Sequence, residues 1–313
     1  MMRLRPAPVA TTLALRRRGD GPPMSGWTRV APLIAAALFG PPPSPAAAET
    51  IDACALPAGA TVAAEPAAVA VILSGDTLSL GDGRVVRLAG ISTPRMHDDA
   101  PASGEPEAAD FTALAKQTLA DIVAGHQIKL YPVSAEPDRH GRIRARLTRA
   151  DDGLWLEAEL VARGLTRVEP GPDDYACARH LEAIEAQARQ AKRGVWADPR
   201  FQVLSATDPH LDRWIGRYVL IEGTVVSTGQ SGSRHYLNFG TDFRRDFAVQ
   251  LDDKVSAGGR RDRKHPGRFA VEGFLSKESV GRILRVRGVL TLGGGGLIRP
   301  SVPEEIEWLS TKP

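Results

Sequence analysis

Between residues 68 and 148 the chain alternates apolar and polar positions in short runs, at 68–73, 77–80, 84–89, 127–133 and 142–148. That period of two is the pattern of strands with one buried face. Asp82-Gly83 supplies the left-handed positions of a tight hairpin between the second and third runs. One amphipathic helix falls among them, with Phe111, Leu114, Ala115, Thr118, Leu119 and Ile122 at helical spacing and Gly125 ending the run. Two further helices are predicted at 154–163 and 176–193, stopped by Gly164 and Gly194, and a first domain should close near Trp196. After a connection containing Asp198-Pro199 and Asp208-Pro209 the pattern returns to strands, at 217–226, 235–239, 247–251, 282–290 and 306–309.

The fold class expected is mainly β with α (α+β): two five-stranded barrels, the first with inserted helices and the second of the oligonucleotide/oligosaccharide-binding (OB) type. Their limits are placed at residues 66–200 and 214–311. A chain of 313 residues, 42% hydrophobic and 25% charged, is long enough for two modest cores, and its composition is neither that of a disordered chain nor that of an integral membrane protein.

Residues 1–48 read differently. From Met24, a second candidate start after Met1, Arg29 precedes an apolar run at 30–39 and then Ala46-Ala47-Ala48, the layout of a secretory signal cleaved after Ala48. The run is short for a bilayer span; a membrane anchor or a disordered Pro/Ala tail is the other reading. The expected location is therefore periplasmic or secreted, with no membrane span after processing. Removing residues 1–48 takes away six arginines and one aspartate and moves the formal charge from +3 to −2. Residues 49–205 then carry 17 basic and 23 acidic residues, and residues 206–313 carry 17 and 13, so general attraction to polyanions belongs to the C-terminal half. The two cysteines, Cys54 and Cys177, can pair in an oxidising compartment; alternatively Cys177, which shares a helix face with Leu181, Ile184 and Ala188, is a buried apolar residue.

Five motifs follow in order: Ser74-Gly75-Asp76-Thr77-Leu78, then 86–94 (Val-Arg-Leu-Ala-Gly-Ile-Ser-Thr-Pro), Asp138-Arg139-His140-Gly141-Arg142, Gly164-Leu165 and Gly194-Val195-Trp196. Singly each is a turn or a hairpin; together they resemble the thermonuclease (staphylococcal-nuclease-like) family across roughly residues 68–198. The resemblance implies an OB barrel that cuts DNA or RNA with one Ca²⁺, two arginines gripping the phosphate and a glutamate promoting attack by water. A hard dication needs converging oxygens, and arginine's fork of donors matches phosphate.

By resemblance, Asp76 is a metal-ligating aspartate, Thr93 ligates through its main-chain oxygen, and Arg87 and Arg142 grip phosphate. The second metal-ligating aspartate falls on Ser92 and the glutamate on Arg95. The family pattern of three carboxylates and two arginines carries −1, whereas Asp76, Arg87, Arg95 and Arg142 carry +2, a site that repels Ca²⁺ and attracts phosphate. The expectation is weak or absent hydrolysis. The opposite reading takes a carboxylate from Asp98, Asp99 or Glu105, or a base from His97, in the polar loop after Pro94.

Single-stranded DNA or RNA is the expected partner. Arg144 and Arg146 alternate with Arg142 along one strand and extend a basic track, or form an ordinary solvated face. In the second half Arg234, His235, Tyr236, Phe239, Phe243, Arg244 and Arg245 mix aromatic and basic residues as a single-strand platform does, and 258–268 reads as a basic loop. The competing reading is a barrel core for the aromatics, as for Trp155 and Trp196. Gly293–Gly296 reads as a flexible hairpin turn. A third function class is a non-catalytic module for a protein or glycan of the cell envelope. Zinc-type Cys/His spacing, nucleotide loops and serine-nucleophile motifs do not occur.

Overall fold

A computed structural model describes residues 65–94, 110–172, 174–252 and 279–309. The first alternating runs become β1 (Ala67–Ser74), β2 (Thr77–Leu80) and β3 (Val85–Leu88), and after β4 (Ile91–Ser92) come β5 (Gln127–Pro132) and β6 (Ile143–Arg149). They close a five-stranded barrel in the order β1-β2-β3-β6-β5, with β3 and β6 parallel. Leu78, Leu80, Val86, Leu88, Ile128, Leu130, Ala145 and Leu147 fill it, each at most 1% exposed. Between β4 and β5 lies helix α1 (Phe111–Val123), whose first turn is capped by Asp110 accepting from the Ala113 N–H at 2.9 Å. Leu114, expected on its buried face, is 49% exposed.

Helix α2 (Leu156–Ala162) packs across β6 and helix α3 (Ala178–Gln190) packs on α2, with β7 (Arg167–Val168) pairing to β4 between them. Trp155 and Trp196 are both buried. Cys177 is disulfide-bonded at the start of α3; its expected partner Cys54 lies outside the described residues, as do residues 1–48.

Among the described residues the second half differs from a closed five-stranded barrel. Its strands are β8 (Leu204–Ser205), β9 (Tyr218–Thr224), β10 (Ser227–Ser231), β11 (Arg234–Asn238), β12 (Ala248–Asp252), β13 (Ile283–Val289), β14 (Leu297–Ile298) and β15 (Ile306–Trp308). They form two four-stranded sheets, β10-β11-β12-β14 and β15-β13-β9-β8, that share one core including Ile221, Leu237, Val249, Leu251, Leu284, Val286 and Ile298. The additional strands are short or polar, so alternation did not reveal them: β10 reads Ser-Thr-Gly-Gln-Ser and β14 has two residues.

All the described residues lie in one compact unit. Phe111, Ala188, Val195 and Trp196 of the first half share a buried cluster with Phe201 and Leu220. Beside it Arg287 of β13, 1% exposed, inserts among Glu182 and Glu185 of α3 and Glu307 of β15, at 3.3, 3.1 and 2.9 Å, and donates to the Val168 carbonyl at 3.0 Å. Burial alone would lower the Arg287 pKa; the carboxylates of Glu185 and Glu182 drive it well above its ordinary value instead. Arg189 extends the network to Glu185 at 2.6 Å, and Arg285 to Glu307 at 3.0 Å and Glu222 at 2.9 Å. The two halves are thus joined through an ionic seam centred on the buried Arg287, Glu182 and Glu185. No described helix is long and apolar enough to cross a membrane.

Candidate functional site

A cleft of about 1170 Å³ opens on the barrel between the β1–β2 turn, β3, the residues after β4 and the loop leading into β6. Gly75 is required in that turn, because a Cβ there would lie 2.5 Å from the Ala115 Cβ and 2.8 Å from the Thr93 Cγ2. The close approach sets Asp76 at the cleft wall. Its Oδ1 accepts from the Ser74 and Thr77 hydroxyls at 2.7 and 3.0 Å, and its Oδ2 from the Thr93 N–H at 3.4 Å. The Arg87 Nε stands 4.0 Å from Oδ2.

Strand register places the arginines. Arg87 of β3 pairs with Thr77 on one side and with Arg144 of the parallel strand β6 on the other, so the three side chains form a row on one face. Arg142 precedes Arg144 by two residues and shares that face. The structure therefore brings Asp76, Arg87, Thr93, Arg142 and Arg144 to one cleft. Ser92 lies beside it, 4% exposed, with its hydroxyl donating to the Thr93 carbonyl at 3.4 Å.

Arg146, expected on the same track, is 2% exposed and does not line the cleft. The alternation that puts it on the outer face of β6 also puts it under α2, where Glu157 and Asp174 are its charged neighbours. Arg95, His97, Asp98, Asp99 and Glu105 lie outside the described residues.

Sequence reasoning overlooked two carboxylates that organise the arginines. Asp138 Oδ2 accepts from Arg142 Nε at 2.8 Å and lies 2.7 Å from its Nη2, while Oδ1 accepts from the His140 and Arg142 N–H groups at 2.9 and 3.0 Å. Burial would raise this carboxyl, but the Arg142 side-chain and backbone hydrogen bonds outweigh it and bring it down to about 2. An aspartate heading a turn that closes on a glycine, here Gly141 at φ 75°, is the local signal that was available. Asp174, 6% exposed, stands 3.7 Å from the Arg144 Nη1 and accepts from the Gly90 N–H at 3.2 Å; it is distant in sequence and carried no such signal.

Among the described residues the lining carries Arg87, Arg139, Arg142 and Arg144 against Asp76, Glu136 and Asp138, a net charge of +1 from four positive and three negative groups. The +2 expected from sequence included Arg95. An Asp138→Asn change removes one of those negative charges and releases the Arg142 guanidinium. Affinity for a single-stranded oligonucleotide should rise several-fold, and the slope of log K against log salt should steepen by about 0.7 if one phosphate contact is gained. Fluorescence anisotropy across a salt series checks both.

Ca²⁺ takes six to eight oxygens, more than the described residues bring together here. Among the described residues Asp76 is the carboxylate bonded to Thr93, and both its oxygens are engaged by hydrogen-bond donors. The Thr93 carbonyl faces the Ser92 hydroxyl, and the Thr93 hydroxyl is buried without a hydrogen-bond partner. No cluster of three carboxylate, histidine or cysteine groups suited to a metal occurs among the described residues.

Of the residues expected to bind nucleic acid in the second half, Arg234 and Tyr236 alternate with the buried Leu237 and share the outward face of β11. Arg244 and Arg245 are exposed in the turn before β12, and none of the four lines the cleft. Phe239 and Phe247 are core residues with ring centroids 5.1 Å apart. The basic loop 258–268 lies outside the described residues.

Residues 85–198 match the family model for staphylococcal nuclease homologues. The match starts at β3, so β1, β2 and Asp76 precede it. A curated protein of Escherichia coli described as an uncharacterized endonuclease is 27% identical over 130 residues, which span 41% of this chain and 74% of that protein.

Proposed function

We propose that this chain, which carries a staphylococcal nuclease-type domain over residues 85–198, is an exported protein that holds the phosphodiester backbone of single-stranded nucleic acid in the barrel cleft, with hydrolysis by the Ca²⁺ route impaired. The observation that carries the reading is the register row of Arg87 and Arg144, joined by Arg142 and opposed at the barrel wall by Asp76. Guanidinium groups match phosphate oxygens in pairs and keep their charge at every physiological pH. Arg87 and Arg142 would grip the phosphate, and Asp76, held by Ser74, Thr77 and Thr93, would fix the orientation of Arg87. The endonuclease description of the E. coli relative supports a nucleic-acid ligand. The disulfide at Cys177 and the leader-like residues 1–48 support export, since disulfides persist in oxidising compartments.

The test is cleavage and binding of single-stranded DNA and RNA in Ca²⁺ and in EDTA, with Asp76→Ala and Arg87→Ala. Salt-sensitive binding that Arg87→Ala weakens by roughly 10- to 100-fold, the loss of a charge-assisted pair, is the expected result, with little Ca²⁺-dependent cutting. Ca²⁺-dependent cutting abolished by both changes would overturn the impairment and direct attention to Asp98, Asp99 and Glu105. Binding that ignores salt would instead favour a protein or glycan ligand.

A further inference from the structure

The two most exposed large apolar side chains of the described surface are Leu292, 81% exposed, and Phe243, 72% exposed. They belong to different loops, the β11–β12 and β13–β14 connections, yet the fold sets these loops side by side. Strands β12 and β14 run parallel with Ala248 opposite Leu297 and Val249 opposite Ile298, so the segments entering them meet at one end of the sheet. The glycine run 293–296 is what permits the meeting. The Gly295 N–H donates to the Asp246 carbonyl at 3.2 Å, and a Cβ at Gly295 would collide with the Arg245 carbonyl oxygen. At Gly294, whose φ of +57° is left-handed, a Cβ would lie 3.0 Å from the Phe243 oxygen. Thr291 and Leu297 exchange backbone hydrogen bonds of 2.8 and 2.9 Å across the base of the loop. The run expected as a hairpin turn does close on the antiparallel Thr291–Leu297 bridge, and it presents Leu292 beside the Phe243 loop.

The surroundings of the pair are basic. Arg244 and Arg245 are exposed, the Arg244 guanidinium lies 5.5 Å from the Phe243 ring centroid, and the exposed Arg299 donates to the Thr291 hydroxyl at 2.9 Å. The acids of the same loop also cap its backbone, Asp242 Oδ1 accepting from the Arg244 N–H at 3.0 Å and Asp246 Oδ2 from the Asp242 N–H at 2.7 Å, so that three arginines outweigh two aspartates by one charge. Two apolar tips on a tied pair of loops, ringed by guanidinium groups, match the two layers of an anionic bilayer surface, acyl chains beneath phosphates. A nucleic-acid strand fits less well. Leu292 offers a base nothing to stack on, and Arg244 already covers one face of the Phe243 ring.

The geometry points to this end of the C-terminal half, formed by Phe243, Leu292, Arg244, Arg245 and Arg299, as a docking surface for anionic lipid bilayers, independent of what the barrel cleft binds. The test is co-sedimentation of the protein, with the same N-terminus in every variant, with phosphatidylcholine vesicles with and without phosphatidylglycerol. Wild type is expected to sediment with the anionic vesicles and far less with neutral ones. The Phe243→Ser/Leu292→Ser protein should lose about tenfold in partitioning, because both side chains leave the acyl boundary. The Arg244→Gln/Arg245→Gln protein should lose about tenfold or more on anionic vesicles alone. Unchanged melting temperatures would show that both variants fold. Wild-type protein that stays in the supernatant, or a Phe243→Ser/Leu292→Ser protein that sediments as well as wild type, overturns the inference. So does a variant that instead loses affinity for a labelled single-stranded oligonucleotide, which would make the surface a nucleic-acid platform.

Discussion

An Arg287→Ala protein is expected to lose about 3–5 kcal/mol of stability, the cost of removing one partner from a buried ion pair. Arg287 is 1% exposed and its guanidinium meets Glu182, Glu185 and Glu307; without it, Glu182 and Glu185, 5% and 0% exposed, keep their burial and lose a cation. Arg189 remains on Glu185, Arg179 on Glu182 and the Tyr218 hydroxyl on the Val168 carbonyl at 3.1 Å, so the loss falls on the unneutralised buried carboxylates. Because Arg287 belongs to the second half and Glu182 and Glu185 to the first, the change should also separate the halves energetically. Urea unfolding of wild type should show one transition, and that of the variant an earlier loss of the second half followed by the barrel. Replacing the ionic groups together with apolar residues of similar volume should recover much of the stability, since desolvation of the charges is relieved with the pairing. A single-variant loss below about 1 kcal/mol, the range of exposed pairs, would mean that water reaches the seam.

That seam was illegible in the sequence for a reason of distance. Glu185 falls on the same α3 face as Leu181, Ile184 and Ala188, with Glu182 beside it, but periodicity names no partner for a buried acid; the partner is Arg287, which arrives a hundred residues later. Legible features were local. The five barrel strands followed from alternation, and Arg87, Arg142 and Asp76 from motif order, because a barrel of this size fixes turn residues and strand faces at short range. Arg146 shows where that reasoning stops. Alternation gave its face correctly, but whether a face meets solvent or a helix is decided by the packing of α2. The third helix ends at Gln190, short of the expected 193, because Lys192 takes a φ of 51° before Gly194, a bend that no hydrophobic period reports.

Stability should be greatest near pH 4–5 and fall as pH rises to 8. Glu157 of α2 is wholly buried against β6, where both its oxygens accept from the Leu147 N–H at 3.2 Å, and burial pushes its carboxyl up to about 8. Glu305, buried and accepting from the Ser301 and Val302 N–H groups, is pushed up to about 7. Both pKa values are raised above those of the unfolded chain, near 4.5. Between that value and 7–8 the folded protein keeps protons that the unfolded chain has released, so the stabilisation is complete below pH 4.5 and drains away on the alkaline side. Asp138 and Asp152 behave oppositely: lowered to about 2, they stabilise above 3.8 and lose that contribution as pH falls through 2. Glu182 is also raised, to about 7, but its proton competes with the ion pair to Arg287, so the clean reporter is Glu157. A Glu157→Gln protein, which keeps an acceptor for the Leu147 N–H and has no charge to bury, should flatten the decline between pH 5 and 8 and gain on the order of 3 kcal/mol over wild type at pH 8. Melting temperatures across that range measure it. A wild-type profile that is flat or rising from pH 5 to 8 would mean Glu157 is ionised in place, charge-compensated by the neighbouring Arg146. The guanidinium beneath the cleft wall would then be the partner that keeps β6, and with it Arg142 and Arg144, in register.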